Sequence, residues 1–441
     1  MNSSSKQQAQ FDTSDFFDQQ KFGLQQFIVI ALCMVVNMLD GFDITAMAVV
    51  ANDVSTEMAI PDHQLGLIFS FSLAGMMLGA MFLASLSDVF GRRKVILYGL
   101  LIVGVSVLVT AYVQNIIGLI ILRFISGLGA GAMLASLATL SSEYSSKRYR
   151  ALAVSVVTAG YPLGAMFTGI VAGFLVPEYG WRSIFIAGGT VTLCLWAAVF
   201  FLLPESLQFL LNKQPNFALQ KINKILQRFN TEQLSTLPVH EGKISKSILP
   251  NILALLAPVY RVKTITLWLS FMFVVFTLYY FLSWLPKSLI DEGFDAGFGR
   301  QAFTLFNLGG VVGIFLLGAF AARYKLSVVT SLFFFTAAIL MLLFSLFSSE
   351  KIGILVLVTG IGLLLQGGFV GMYALPAKLY PTDIRSTGVG WAIGLGRLGA
   401  VFGPALAGYL IASGVSIELN FAIFSIPVLV ACAGVMTLKI S

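Results

Sequence analysis

The chain has 441 residues, of which 58% are hydrophobic and 11% charged, with a formal net charge of +7 and a mean hydropathy of +0.90. Soluble globular chains are closer to a quarter charged, so this composition excludes a soluble enzyme or regulator and points to a polytopic membrane protein. The apolar runs are long and lack period-2 alternation, so the expected fold class is all-α, with helices rather than a barrel crossing the bilayer.

Residues 1–24 form a polar tail carrying Asp12, Asp15 and Asp18. It has no basic stretch followed by a cleavable apolar core, so no signal peptide is read. Twelve spans follow, at about 25–51, 63–86, 94–112, 115–141, 151–176, 181–203, 263–289, 298–321, 326–347, 351–376, 384–412 and 417–438. They divide into two six-span halves, 25–203 and 263–441, around a polar central stretch, 204–262. In that stretch Ala218, Ile222, Ile225, Leu226 and Phe229 recur at helical spacing, with Lys221, Lys224 and Arg228 between them. This is an amphipathic helix suited to an anionic membrane surface, or a solvated linker helix.

Basic residues orient the spans. With the N-terminus cytoplasmic, 21 Lys and Arg fall in cytoplasmic segments and four outside (Arg182, Lys287, Arg300 and Lys351), while Arg123 and Arg397 lie within spans. The positive charge is therefore a mark of topology and not of a nucleic-acid partner. Cys33, Cys194 and Cys432 lie in apolar runs and read as small core residues. His63 and His240 are isolated, and no metal site is visible.

The chain repeats itself. Leu163–Leu175 matches Leu398–Leu410 with seven identities in thirteen positions at an offset of 235, which also superposes Arg150 on Arg385. Span 5 is thus a copy of span 11, as two parallel-related halves require.

Asp40-Gly-Phe-Asp43 places two carboxylates one turn apart on one face of span 1. Each costs roughly 2.5–3.5 kcal/mol on insertion scales, which marks a proton or substrate site. Counting roughly 1.5 Å per residue, Asp40 and Asp43 lie roughly 17 and 12 Å from the outer end of span 1, and Arg123 roughly 12 Å from that of span 4. An Asp–Arg pair there is either purely structural or one in which the second acid is left to hold a proton. Arg397 lies near the middle of span 11, where the repeat places Pro162, so it is no part of the shared scaffold. Its fork suits a substrate carboxylate. Tyr279, Tyr280 and Trp284 in span 7 and Tyr373 in span 10 are candidate ring companions, and Gln366 and Asn307 could read a ring hydroxyl. Most aromatic residues in spans simply pack. The loop Asp88-Val-Phe-Gly91-Arg92-Arg93 is either a charge clamp between helix ends or a stop-transfer cluster.

Asp88-x-x-Gly91-Arg92-Arg93 resembles the loop 2–3 signature of the major facilitator superfamily, with Ala84 where the family usually has Gly. Arg123-Phe-Ile-Ser-Gly127-Leu-Gly129-Ala-Gly131 resembles its proton-linked motif. Glu143 through Arg150 and Tyr380 through Arg385 resemble the loop 4–5 element and its second-half copy. The second loop signature is degraded to Gly318 and Arg323, with Ala322 at the acid position. Leu203-Pro-Glu-Ser206, Trp284-Leu-Pro286, Gly388-Val-Gly-Trp391 and Gly396-Arg397, with the span-1 acids, resemble the aromatic acid:proton symporters. The resemblance implies alternating-access import of a benzoate-type or hydroxybenzoate-type anion with a proton across the inner membrane. It gives functional roles to Asp40, Asp43, Arg123, Asp88 and Arg397, with Gly91, Arg92, Arg93, Glu143, Arg150 and Arg385 in gating. The expected partners are the substrate, protons and lipid. No cofactor beyond the proton gradient is expected, and the chain reads as a monomer. A ring-opened dicarboxylate or sugar acid is the rival cargo, and a non-transporting sensor the rival class. No nucleophile–base constellation suggests an enzyme.

Overall fold

Among the described residues, twelve helices are long and apolar enough to cross a membrane. The computed structural model describes residues 17–18, 22–229, 231, 233–237, 254–347, 350–380 and 382–438, among which there is no β-strand. In the first half the helices are α1 (Leu24–Val49), α2 (Asp62–Leu83), α3 (Arg92–Thr110), α4 (Ile116–Glu143), α5 (Arg150–Tyr179) and α6 (Arg182–Leu202). In the second they are α7 (Arg261–Asp291), α8 (Ala296–Ala321), α9 (Leu326–Phe347), α10 (Lys351–Leu379), α11 (Thr382–Ala412) and α12 (Ile417–Thr437). The end of the bundle that carries the α2–α3 loop is termed the basic end, and the opposite one the far end.

Lipid is as apolar as leucine, so helices in a membrane associate through close backbone packing rather than hydrophobic exclusion. The small residues show where. A Cβ on Gly164 of α5 would overlap the Met38 carbonyl of α1, and one on Gly399 of α11 would overlap the Met272 carbonyl of α7. Gly131 of α4 meets Met76 of α2 in the same way, and Gly362 of α10 meets Phe306 of α8. The pairs α1–α5 and α2–α4 therefore recur as α7–α11 and α8–α10, the structural form of the sequence repeat. Large apolar side chains such as Phe174, Phe201 and Ile352 remain exposed, as lipid-facing residues do.

The halves meet through α1 with α7, α2 with α11 and α5 with α8. Their contacts concentrate at the far end, where Gly66 packs on Pro404 and Gly408, and Gly169 on Arg300 and Thr304. Toward the basic end the halves part. A Cβ built on Gly390 or Gly394 would meet nothing, and both share the face of α11 that carries Arg397.

Helix Ala218–Arg228 corrects an expectation. Its apolar stripe, Ala218, Ile222, Ile225 and Leu226, is buried against the protein. The neighbouring Phe229 packs on Phe17 at 5.6 Å and Tyr144 at 6.3 Å between ring centroids. Protein rather than lipid or solvent takes the apolar face, because the basic end of the first half offers an aromatic surface. Much of the remaining central stretch, 238–253, lies outside the described residues. The three cysteines are free, and Cys194, expected in the core, is exposed on α6.

Candidate functional site

Gly41 permits the close approach of α1 to α5, since its Cβ would overlap the Tyr161 carbonyl. That approach fixes the two acids on either side of Gly41. Pro162 cannot donate to the Thr158 carbonyl one turn back. Asn37 of α1 serves that stretch of α5 instead, donating to the Val157 carbonyl at 2.7 Å and the Thr158 carbonyl at 3.5 Å.

Asp43 faces α4. Its carboxylate accepts from Arg123 Nη1 at 2.7 Å and from the Ser126 hydroxyl. Arg123 also donates to Thr110 Oγ1 at 3.1 Å and lies over the Phe185 ring at 5.2 Å. Both charges are at least 97% buried, at 3% and 1% side-chain exposure. Buried ion pairs survive only when most of the remaining donors and acceptors are engaged; here Thr110, Ser126 and Phe185 engage the pair, and Arg123 Nε is left without a hydrogen-bond partner. Composition carries no trace of this cage: Thr110 and Ser126 are ordinary small polar residues of α3 and α4.

Asp40 is separated from that cage. It is 3% exposed, and its Oδ1 has no hydrogen-bond partner. The charges within its reach are Asp43 and, from the other half, Arg397. Thus the two acids do not share one base: α1 turns Asp43 toward Arg123 and Asp40 toward the second half. Arg397 is half-buried and donates to the Met76 carbonyl of α2 at 3.4 Å, so it already touches the first half. Tyr161, Tyr279 and Tyr373 lie within its electrostatic reach. Tyr373 is held edge-on by Phe271 at 5.4 Å and Phe369 at 5.1 Å.

Four residues expected around the ligand sit elsewhere. Tyr280 stacks on Phe424 at 4.1 Å in the aromatic core of the second half. Trp284 is fully buried near the far end, donating to the Pro404 carbonyl at 3.0 Å with Phe69 of the first half edge-on at 5.4 Å. Both belong to packing because α7 turns those positions away from Arg397 while Tyr279 faces it. Gln366 donates to Asn307 Oδ1 at 3.4 Å, and Asn307 to the Phe303 carbonyl at 2.9 Å. These two amides join α8 to α10 and largely satisfy each other.

At the basic end Gly91 has φ +103°, and a Cβ there would collide with Glu205. Glu205 accepts from the Arg93 amide at 3.0 Å, so the turn needs glycine. Arg92 pairs with Asp88 at 2.9 Å and with Glu143 at 3.6 Å. Arg93 lies over Phe200 at 5.5 Å and donates to its carbonyl. Arg150 donates to the Ser142 carbonyl at 3.2 Å. All these contacts stay inside the first half, so among the described residues the cluster fastens its helix ends to one another and no contact from it bridges the halves. Asp88 is 71% exposed. Arg385 opens α11, and its side chain lies outside the described residues.

Lys287 and Arg300, which the charge distribution places on the outer side, are both buried at the far end. Lys287 pairs with Asp62 at 2.9 Å and Asp291 at 2.8 Å, and Arg300 with Asp53 at 3.2 Å. Asp53 and Asp62 belong to the first half, so these pairs latch the halves together where the bundle is closed. Nearby, hydrogen bonds from Arg182 and Trp181 hold the Glu57 carboxyl below the usual carboxylate range. A Lys287→Met, Arg300→Met double variant is expected to open the far end. Loss of 1–2 kcal/mol of closure raises the open population about five- to thirtyfold. Labelling of an Ala405→Cys reporter in a Cys194→Ser background, by a membrane-impermeant maleimide, measures this; unchanged labelling means the pairs do not hold that end shut.

The comparisons with known proteins agree with this architecture. The sequence profile of the Major Facilitator Superfamily matches residues 32–363 and 292–440. The chain is 31% identical over 437 residues to the 4-hydroxybenzoate transporter PcaK of Acinetobacter baylyi, covering 97% of this chain and 94% of that protein. It is 27% identical to a gallate transporter of Pseudomonas putida, covering 97% and 95%. The structure of a D-xylose-proton symporter superposes with a TM-score of 0.70 at 15% identity, covering 94% of this chain and 97% of that one, a likeness of fold alone. The chain is a multi-pass membrane protein that belongs to the major facilitator superfamily, a family of transporters and not of enzymes, and is similar over nearly its full length to carriers of aromatic acids.

Proposed function

We propose that the protein imports an aromatic carboxylate of the benzoate or hydroxybenzoate type together with a proton, by alternating access, with the basic end and both termini facing the cytoplasm. The observation that carries this reading is Asp40, a buried carboxyl with an unpartnered oxygen that faces Arg397 across the two halves. When the cavity is empty, Asp40 and Arg397 offset one another. An arriving carboxylate takes the Arg397 fork, and a proton on Asp40 then keeps the charge of the site constant while the halves rock. The Asp43–Arg123 pair fixes α1 against α4, so that Asp40 meets Arg397 in register. Release toward the basic end empties the site and leaves Asp40 again offset by the charge of Arg397.

The test is uptake of radiolabelled 4-hydroxybenzoate into proteoliposomes with an inward proton gradient, with and without a protonophore. Collapse of accumulation with protonophore is expected, and undiminished accumulation would remove the proton from the mechanism. Competition by benzoate, by a ring-opened muconate-like dicarboxylate and by a sugar acid identifies the cargo. A second anionic group needs a second free base, and Arg123 is already committed to Asp43, so monoanions should compete best.

A further inference from the structure

We propose that Tyr161 of α5 selects ring-hydroxylated aromatic carboxylates over unsubstituted ones, its hydroxyl bonding the ring hydroxyl while Arg397 holds the carboxylate. This rests on the proposed aromatic-acid reading and adds to it a residue from the half opposite Arg397.

Position is the first argument. The internal repeat places Pro162 at the counterpart of Arg397, so Tyr161 lies one residue from the pseudo-symmetric position at similar depth. Its backbone is locked against Gly41, between the two acids. Its side chain is within electrostatic reach of both Asp40 and Arg397.

The second argument is an unsatisfied group. The Tyr161 hydroxyl is buried with no hydrogen-bond partner, although the residue as a whole is only part-buried. The neighbouring hydroxyl of Tyr279, in the other half, lies close enough for a weak mutual interaction but outside full hydrogen-bond geometry. A buried hydroxyl without a partner costs about 1–3 kcal/mol, and phenylalanine would avoid that cost with the same shape. A ligand hydroxyl placed between Tyr161 and Tyr279 would satisfy both, since each phenol can donate and accept. A para- or meta-hydroxylated benzoate carries such a group at the end of the ring away from its carboxylate. Sites that bond a substrate hydroxyl discriminate strongly against the analogue lacking it, because the site's own groups are then left unpaired.

Binding of benzoate and of 4-hydroxybenzoate to the purified full-length protein in nanodiscs, measured by calorimetry, tests this. The parent should prefer 4-hydroxybenzoate. Tyr161→Phe should weaken 4-hydroxybenzoate about tenfold and leave benzoate within about twofold, shrinking the preference. Tyr280→Phe, which removes a buried hydroxyl from the aromatic core, should leave the preference unchanged. A measurement that needs no variant is 4-methoxybenzoate, which has lost the O–H donor and should bind the parent no better than benzoate. An unchanged preference in Tyr161→Phe overturns the assignment, as does an equal change in Tyr280→Phe. Failure of the parent to bind either acid overturns the aromatic-acid reading itself, a distinct pattern.

Discussion

An Arg397→Ala variant is expected to reach the membrane in normal amount and to take up aromatic acid at least about a hundredfold more slowly than the parent. Truncating one member of a desolvated charge pair costs about 2–5 kcal/mol, much of it the penalty of leaving the other charge unpaired. On the proposed mechanism two anions depend on Arg397 in turn: the substrate carboxylate when the site is full, and Asp40 when it is empty. Arg397→Lys keeps the charge and loses the planar fork, so an intermediate rate is expected. An Arg397→Ala, Asp40→Asn double variant removes the stranded acid as well. It should recover thermal stability in detergent without recovering uptake. Initial-rate uptake beside a surface-expression measurement decides the matter. Full uptake by Arg397→Ala would take the residue out of the substrate site.

Asp43→Asn should fail for a different reason. It leaves Arg123 buried beneath Phe185 with no counterion, and breaking a buried pair on one side costs about 3–5 kcal/mol. A lowered melting temperature is therefore expected along with near-zero uptake. The Asp43→Asn, Arg123→Gln pair separates stability from transport. Both charges are gone, the Ser126 donor and the Thr110 acceptor remain available, and stability should largely return. Uptake should stay near zero if the charges act in the cycle. If uptake returns with stability, the pair is only a brace between α1 and α4. Thermal shift and uptake on the same three preparations give the answer.

Both variants depend on a division of labour between acids three residues apart. A step of three residues along a helix moves a side chain about 4.5 Å along the axis and about 60° around it. On α1 that suffices to aim Asp43 into a closed cage and Asp40 at the seam between the halves. The far-end pairs at Lys287 and Arg300 belong to the same logic. They tie the halves together at the far end, and in the proposed alternating-access cycle exchanging that arrangement for its opposite would require breaking them.

Much of this protein follows from its amino-acid sequence. A spanning helix needs about 20 apolar residues, and no polar backbone group can be left open in lipid, so the apolar runs alone determine twelve helices. The distribution of basic residues carries an orientation, and the repeat of Leu163–Leu175 at Leu398–Leu410 carries the two-fold plan. The depths of Asp43 and Arg123 follow from counting residues, because a helix rises by a constant amount. Direction around each helix does not follow from such counting. Tyr279, Tyr280 and Trp284 lie on one helix within six positions, yet Tyr279 borders Arg397 while Tyr280 and Trp284 are packing residues. Lys287 and Asp62, or Arg300 and Asp53, are hundreds of positions apart and pair only because α7 and α8 pack on the first half. Span and depth are one-dimensional properties of a chain in a bilayer, so the sequence suffices for them. Which buried group faces which is a property of helix rotation and of the contact between halves, and only the tertiary structure decides it.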